Sequence, residues 1–524
     1  MNHALIKVLV LNEWRLRSRR ISSLVILLAV IAVSWLMVLD PASGYATMVT
    51  HKQRIAYESQ ALAFATGLLG SFLFGMSGFY LARGRVQEDL RCGTAAVLAA
   101  TPVSNARLLG LRWLGAFGFL MSLGTVLMLT LWVLQVVRGE GPLQALPYLQ
   151  MLFLGLAPGL MLCASLATLA DAWAPLIGKR GDALYFVFWI AQSAFLPITM
   201  GSESIHFSAW QVLDIQGLSP LLVGLSQLMD VSHVSVGGGP FDARLPLLHM
   251  PEGLWSADLV ALRLSSMLVA LLPLLPAVLL FHRYAPDRVK LRSPGGHSRI
   301  VQGLQWLLRP LLRPFTWALG LLMRLSARMP GLAGRCLADV SLALLSQPLL
   351  ALVMFASAMA TAFVPAQNLI PLLAVALGAW GMATADVSSR DPQSGTLAMA
   401  GAAPGGVLER GWRQALAAFI LGCLVSAPAL VRWGAETPIR SLACVAGLFC
   451  LSVATTLLGR LTRGSRTFLA LFLFALYLNM QKTGIAALDL LGLANVADSG
   501  SVLGYATVGL LGLAALLTPR LSRI

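Results

Sequence analysis

Few residues in this chain could do chemistry, and the most suggestive share one polar break between two long apolar segments. Glu88 and Asp89 can make charge-assisted contacts with a cationic surface. Gly93, with Thr94 beside it, allows a close turn, and Pro102 breaks a helix. The break returns once, ungapped and 302 positions later, so that Val86–Phe117 aligns with Ser388–Phe419. Nine of the 32 aligned positions are identical: Asp89/Asp391, Gly93/Gly395, Thr94/Thr396, Ala96/Ala398, Ala100/Ala402, Pro102/Pro404, Leu114/Leu416, Ala116/Ala418 and Phe117/Phe419. Alanine and leucine matches are cheap in so apolar a chain; an acid, a Gly-Thr pair and a proline at fixed spacing are not. A duplicated polar element suggests docking of a twofold-symmetric partner.

Other candidates are weaker. His206, His233 and His249 share a polar loop with several acids, but their spacing fits no zinc pattern, so no metal site is assigned. The six cysteines include no C-x-x-C pair and none lies in a loop expected outside, which argues against a disulfide or redox site. Gly237-Gly238-Gly239 has no lysine after it and reads as a turn. No serine or cysteine has an identifiable histidine partner, so no catalytic residue is assigned. No G-x-x-x-x-G-K-[ST] sequence occurs, and the chain is expected to bind no nucleotide or other cofactor by itself.

The elements that carry these residues follow from composition. Hydrophobic residues make up 57% of the chain, charged residues 11%, and the mean hydropathy is +0.78. Soluble domains carry about 25% charged residues, so this reads as an all-α, polytopic membrane protein. Length allows about twelve spans of roughly 20 residues. We expect them at 21–39, 61–82, 112–137, 147–170, 183–200, 258–281, 347–365, 367–385, 412–431, 439–459, 466–481 and 502–519. The net charge of +16 sits in short loops, as the positive-inside bias requires, and not in a basic stripe for nucleic acid.

Loop charge sets the orientation. Residues 202–257 hold Glu203, Asp214, Asp230, Asp242 and Glu252 against a single Arg244, and are expected outside, with short interfacial helices between Trp210 and Val231. Residues 282–336 hold ten Arg or Lys and one acid, Asp287, and are expected inside. The segment with Arg309, Arg313 and Arg324 is expected to lie on the inner surface. The organisation is then a first repeat (1–285), a basic linker (286–336) and a second repeat (337–524). Each repeat has six helices, parallel to the other, with both termini cytoplasmic. Residues 4–20, with Glu13, Trp14 and Arg15, read as an interfacial helix.

Two rival functions remain. An ion-coupled secondary carrier needs ionisable residues in mid-span; Arg112, Asp171 and Arg263 are expected near span ends. A membrane-embedded lipid-modifying enzyme or assembly factor needs acids or histidines clustered at one face, and here they are scattered.

The stretch Glu88–Ser104, E-D-x-x-x-G-T-x-x-x-L-x-x-T-P-V-S, resembles the signature of ABC-2 type transporter permeases, in the expected place after the second span. N-E-W-R-L-R, Asn12–Arg17, resembles that family's first helix. The resemblance implies paired six-helix permease units in a bacterial inner membrane, mostly exporting. It implies cytosolic ABC ATPase subunits as partners, two copies or two different chains, which supply ATP and Mg. It implies that Glu88, Asp89, Gly93, Thr94 and Pro102, with Asp391, Gly395, Thr396 and Pro404, form ATPase-coupling elements. The second copy departs from the signature: Arg390 stands where Glu88 does, and Ala403–Gly406 reads A-P-G-G.

Overall fold

The computed structural model describes residues 3–177, 179–193, 207–229, 234–281, 299–396, 399, 402, 406–480 and 485–518. Pro404, His206, His233, Glu203, Asp230, Asp287 and the segment 194–200 lie outside them. The chain is 77% helical with almost no strands, and divides into two units, Met1–Gly296 and His297–Ile524.

The first unit begins with α1 (His3–Ser18) and α2 (Ile21–Met37), bent by 74° where Arg19 and Arg20 intervene. Next come α3 (Ser59–Ala82), the short α4 (Arg85–Arg91) and α5 (Thr94–Ala100), and α6 (Asn105–Arg138). Helix α7 (Leu146–Ala172) contains a π turn at Met151–Leu156. It is followed by α8 (Lys179–Ser193), α9 (Leu218–Met229) and α10 (Ala257–Leu280). Helix α3 forms the centre: it is buried along most of its length and packs on α6 and α7. Gly67 and Gly70 let those neighbours approach, since a Cβ at Gly70 would sit 2.6 Å from Leu127.

The second unit begins with a hairpin of α11 (Arg299–Arg328) and α12 (Gly331–Leu345). Helices α13 (Pro348–Phe363), α14 (Ala366–Thr384) and the short α15 (Arg390–Ser394) follow. The unit closes with α16 (Gly406–Glu436), α17 (Pro438–Thr462), α18 (Arg466–Met480) and α19 (Ser499–Leu516). Helix α16 takes the central place and packs on α12, α13, α14 and α17.

Among the described residues seven helices are long and apolar enough to cross a membrane: α3, α6, α7, α10, α16, α17 and α19. The count reaches nine if α1–α2 and the 103° bent pair α12–α13 each make one span. This matches a multi-pass membrane protein. The expected spans at 367–385 and 466–481 meet the described apolar helices Asn368–Thr384 and Arg466–Met480; of the span expected at 183–200, residues 183–193 lie in α8 and the rest lie outside the described residues.

The loops expected outside add one small sheet to the helical fold. β1 (Tyr45–Thr50) pairs antiparallel with β2 (Gln53–Arg54) and with β3 (Ser235–Pro240), in the order β2-β1-β3. The sheet is pinned at both sides. Thr47 Oγ1 donates to the Met37 carbonyl at 3.1 Å, and Tyr57 OH donates to the Leu39 carbonyl at 2.9 Å. Arg54 makes a two-pronged pair with Glu140 at 2.7 and 2.8 Å. Helix α9, expected at the interface, is instead largely buried within the unit.

Candidate functional site

The duplicated polar break forms an elbow between α3 and α6. Gly84 (φ +103°) turns the chain, and the Asp171 carboxylate caps α4 by accepting from Gly84 N at 2.8 Å and Arg85 N at 2.9 Å. Gly93, at φ +73°, ends α4 in a conformation that a side chain would strain. Thr94 Oγ1 reaches back to an Asp89 carboxylate oxygen at 3.3 Å. Pro102 is exposed, and Ser104 caps α6 by accepting from Arg107 N.

Asp89 faces inward. Its side chain is 4% exposed and pairs with Arg112 of α6 and, at 3.3 Å, with Arg85. Glu88 is half-exposed and pairs with Arg20 and, at 3.1 Å, with Arg85. Arg85 also meets Glu13 at 3.0 Å, and Glu13 holds Arg17 at 2.8 Å. Arg17 in turn donates to the last carbonyl of α3, Ala82. Arg83 pairs with Asp182 and, at 3.6 Å, with Asp171. The lattice thus sets Glu13, Glu88, Asp89, Asp171 and Asp182 against Arg17, Arg20, Arg83, Arg85 and Arg112, five of each sign. Burial alone would lower the Arg85 guanidinium, but Glu13 and Asp89 raise it above its ordinary value. Helices α1 and α6 meet closely enough that a Cβ at Gly115 would lie 2.5 Å from the Glu13 Cβ. Of the other α1 candidates, Trp14 is half-buried and Arg15 is exposed.

The lattice leaves one surface uncommitted. Helix α5 has no buried residue, Val97 is 68% exposed, and Cys92 and Thr94 are exposed beside it. What the elbow offers a partner is therefore mainly its tip, Cys92 to Ala100, with Glu88 at the edge.

The second unit builds the same turn with different cations. Gly395 ends α15 at φ +72°, and Thr396 Oγ1 donates to Asp391 at 3.4 Å. Asp391 pairs with Arg410 at 2.7 Å, with side-chain exposures of 13% and 29%. Gln414 occupies the position aligned with Arg112 and donates to the Val387 carbonyl at 3.0 Å. Arg390 pairs with Asp386 of its own turn at 3.0 Å. Arg413 meets Asp339 of α12 at 2.9 Å.

A second construction escaped the sequence reading. Arg263, expected near a span end, has no exposed surface and donates to four backbone carbonyls. Pro158 has no N–H to offer Leu154, four residues before it; Arg263 Nε fills that carbonyl at 2.9 Å, and Nη2 takes Gly155 at 2.8 Å. The other contacts are the Asp214 and Ile215 carbonyls, at 3.3 and 3.2 Å. The Asp214 carboxylate accepts from Gly217 N and Ser219 N at 3.0 and 2.7 Å, and Gln192 of α8 accepts from Ile215 N at 3.3 Å. Ser71, in the middle of α3, donates to the Gln216 carbonyl. A segment between α8 and α10 therefore dips to the mid-depth of α3.

The second unit holds a related segment, gripped by an arginine of α17, which precedes it, whereas Arg263 follows its own segment. Asp489-Leu-Leu-Gly492-Leu matches Asp214-Ile-Gln-Gly217-Leu, and both glycines have positive φ, +67° and +83°. Asp489 accepts from Ala494 N at 3.0 Å, the fifth residue on, as Asp214 does from Ser219. Arg440 donates to the Gly492 and Leu493 carbonyls at 2.6 and 3.1 Å, and Asn479 of α18 accepts from Leu491 N at 2.6 Å. The signal that could have exposed it is D-x-x-G-L, present after each fifth apolar segment.

Among the described residues no group of three or more His, Cys, Asp or Glu side chains could hold a metal. The chain matches no protein-family model, no curated protein and no solved structure.

Proposed function

We propose that this chain is the membrane permease of an ATP-driven exporter, worked by separate cytosolic ABC ATPase subunits. In this reading the two units are parallel six-helix repeats with twelve spans in a bacterial inner membrane, and both termini are cytoplasmic. The shorter helices α8, α14 and α18 complete the count. The observation that carries the reading is the twofold construction of the elbow: a short helix, a left-handed glycine, a threonine bonded back to an aspartate, and that aspartate paired with an arginine. The D-x-x-G-L segments, one per unit, support the same internal duplication.

The elbow's residues divide their work. Asp89, Gly93 and Thr94 position the turn, as do Asp391, Gly395 and Thr396; Pro102 ends α5. Glu88 and the exposed face of α5 contact the ATPase. Arg263 and Asp214 do not favour ion coupling: both are satisfied by backbone groups, which suits a fixed clamp. The experiment is affinity purification of the full chain from its native membranes. An ATPase should copurify, and Val97→Arg should remove it while the permease stays inserted. A chain that brings down no ATPase under crosslinking, with Val97→Arg indistinguishable from the parent, refutes the proposal.

A further inference from the structure

Helix α11 carries five arginines and no acid over 30 residues. One side of it is consumed by packing: Leu319 and Ser326 are buried, and Phe315 meets Phe355 of α13 with ring centroids 6.2 Å apart. The described part of the opposite side is a single stripe at helical spacing, Arg313, Trp317, Leu321, Arg324 and Arg328. All five are exposed, Trp317 to 66%. The guanidinium groups of Arg313, Arg324 and Arg328 enter no ion pair among the described residues, whereas Arg335 of α12 pairs with Glu409.

Beside the stripe lies a groove of about 690 Å³ between α11 and α12. It exists because the hairpin turns tightly. Gly331 takes φ +70°, and a Cβ at Gly334 would stand 2.1 Å from the Met329 carbonyl oxygen. Met323, Met329, Ala338 and Leu345 give the groove an apolar lining, and Arg324 and Arg335 add charge to it. Its volume falls in the range of small-molecule sites.

We propose that the groove and the stripe bind an anionic glycerophospholipid of the surrounding bilayer. Arg324, with Arg328 one turn on, takes the phosphate, Arg313 adds positive charge farther along the same stripe, and acyl chain lies along the methionine and leucine lining. Exposed tryptophan beside arginine suits the headgroup level of a membrane. A free phosphate would leave the apolar lining unused. The proposal is independent of the transport reading.

The test uses the full chain in dodecyl maltoside micelles and tryptophan quenching by brominated phosphatidylglycerol or brominated phosphatidylcholine. Phosphatidylglycerol should quench a component that Trp317→Phe lacks, at concentrations where phosphatidylcholine does not. Removing three interfacial arginines together (Arg313→Gln, Arg324→Gln, Arg328→Gln) should weaken this about hundredfold. The matching three-lysine variant, which keeps the charge, should retain most of it and shows that loss is not misfolding. Glycerol phosphate should not compete. Equal quenching by both lipids, full competition by glycerol phosphate, or displacement by a short oligonucleotide at physiological salt would each overturn the lipid site.

Discussion

Replacing Asp89 and Asp391 separately by asparagine asks whether two sequence-identical elbow positions are energetically alike. Asp89 and Arg112 have side chains 4% and 7% exposed. Neutralising Asp89 leaves Arg112 buried without its counter-charge, and breaking such a pair costs about 3–5 kcal/mol. Arg85 retains Glu13 and Glu88 as partners, so the loss should not exceed that range. Asp391 and Arg410 are 13% and 29% exposed, and water can take over for the lost charge. For a pair so open the cost is about 1 kcal/mol or less. The assay is equilibrium unfolding in mixed micelles of dodecyl maltoside and dodecyl sulfate, with hydrogen exchange read over 85–104 and 390–396. Asp89→Asn should shift the midpoint strongly and open the elbow amides, and Asp391→Asn should shift it little. The double replacement Asp89→Leu with Arg112→Met should recover most of the stability, because no buried charge is then stranded. Equal shifts for the two single variants would refute the burial argument. An unshifted Asp89→Asn with lost ATPase association would make Asp89 a contact residue.

Further outcomes follow from other contacts. Arg263→Met should destabilise the first unit by about 3 kcal/mol or more, since four buried carbonyls lose a charged donor; urea or detergent titration reads it. Glu88→Arg should weaken ATPase binding more than Arg390→Glu, because it places a third cation against Arg20 and Arg85 at the edge of the docking tip; copurified ATPase is the measure, and equal losses would sink the asymmetry. In intact cells an impermeant maleimide should label Glu252→Cys in a chain without other cysteines, and should label a chain that keeps only the exposed Cys92 only after permeabilisation. Acid should loosen the sheet. Burial pushes the Glu140 carboxyl up, but hydrogen bonds from Arg54 and from Tyr57 N outweigh it and hold it below the ordinary value. Its contribution, under about 1 kcal/mol for a pair this open, is therefore present above the usual carboxylate range and fades as pH falls through it. Hydrogen exchange at 45–57 should rise there, and Glu140→Gln should abolish the pH dependence.

Composition and hydropathy were enough to place α3, α6, α7, α10, α16, α17 and α19, because a bilayer demands long apolar runs and little else. The bend after α1 was also legible, from the arginines that interrupt the apolar run at 15–20. The sheet was not. β3 reads Ser-Val-Gly-Gly-Gly-Pro, with little intrinsic preference for a strand, and its partner lies far away in sequence. The inward turn of Asp89 was hidden for a related reason. Helical periodicity assigns faces within one helix, but Arg112 reaches Asp89 from another. The same limit hid Arg263: its place in the sequence suggests a span end, whereas its partners come from a π turn and from a loop folded into the unit.

The clamp around Arg263 also constrains how this protein can change over time. Arg263 reads backbone oxygens, which every residue type supplies. Leu154 and Ile215 are thus free to drift among side chains of similar size without weakening its grip. Pro158 is not free in the same way. Any other residue there restores an N–H that competes with the guanidinium for the Leu154 carbonyl. Gly217 is pinned as well, since a Cβ would lie 2.6 Å from the Arg263 guanidinium carbon. Substitution should therefore be tolerated at Leu154 and Ile215, whose carbonyls make contacts, and refused at Pro158 and Gly217, whose side chains make none of them.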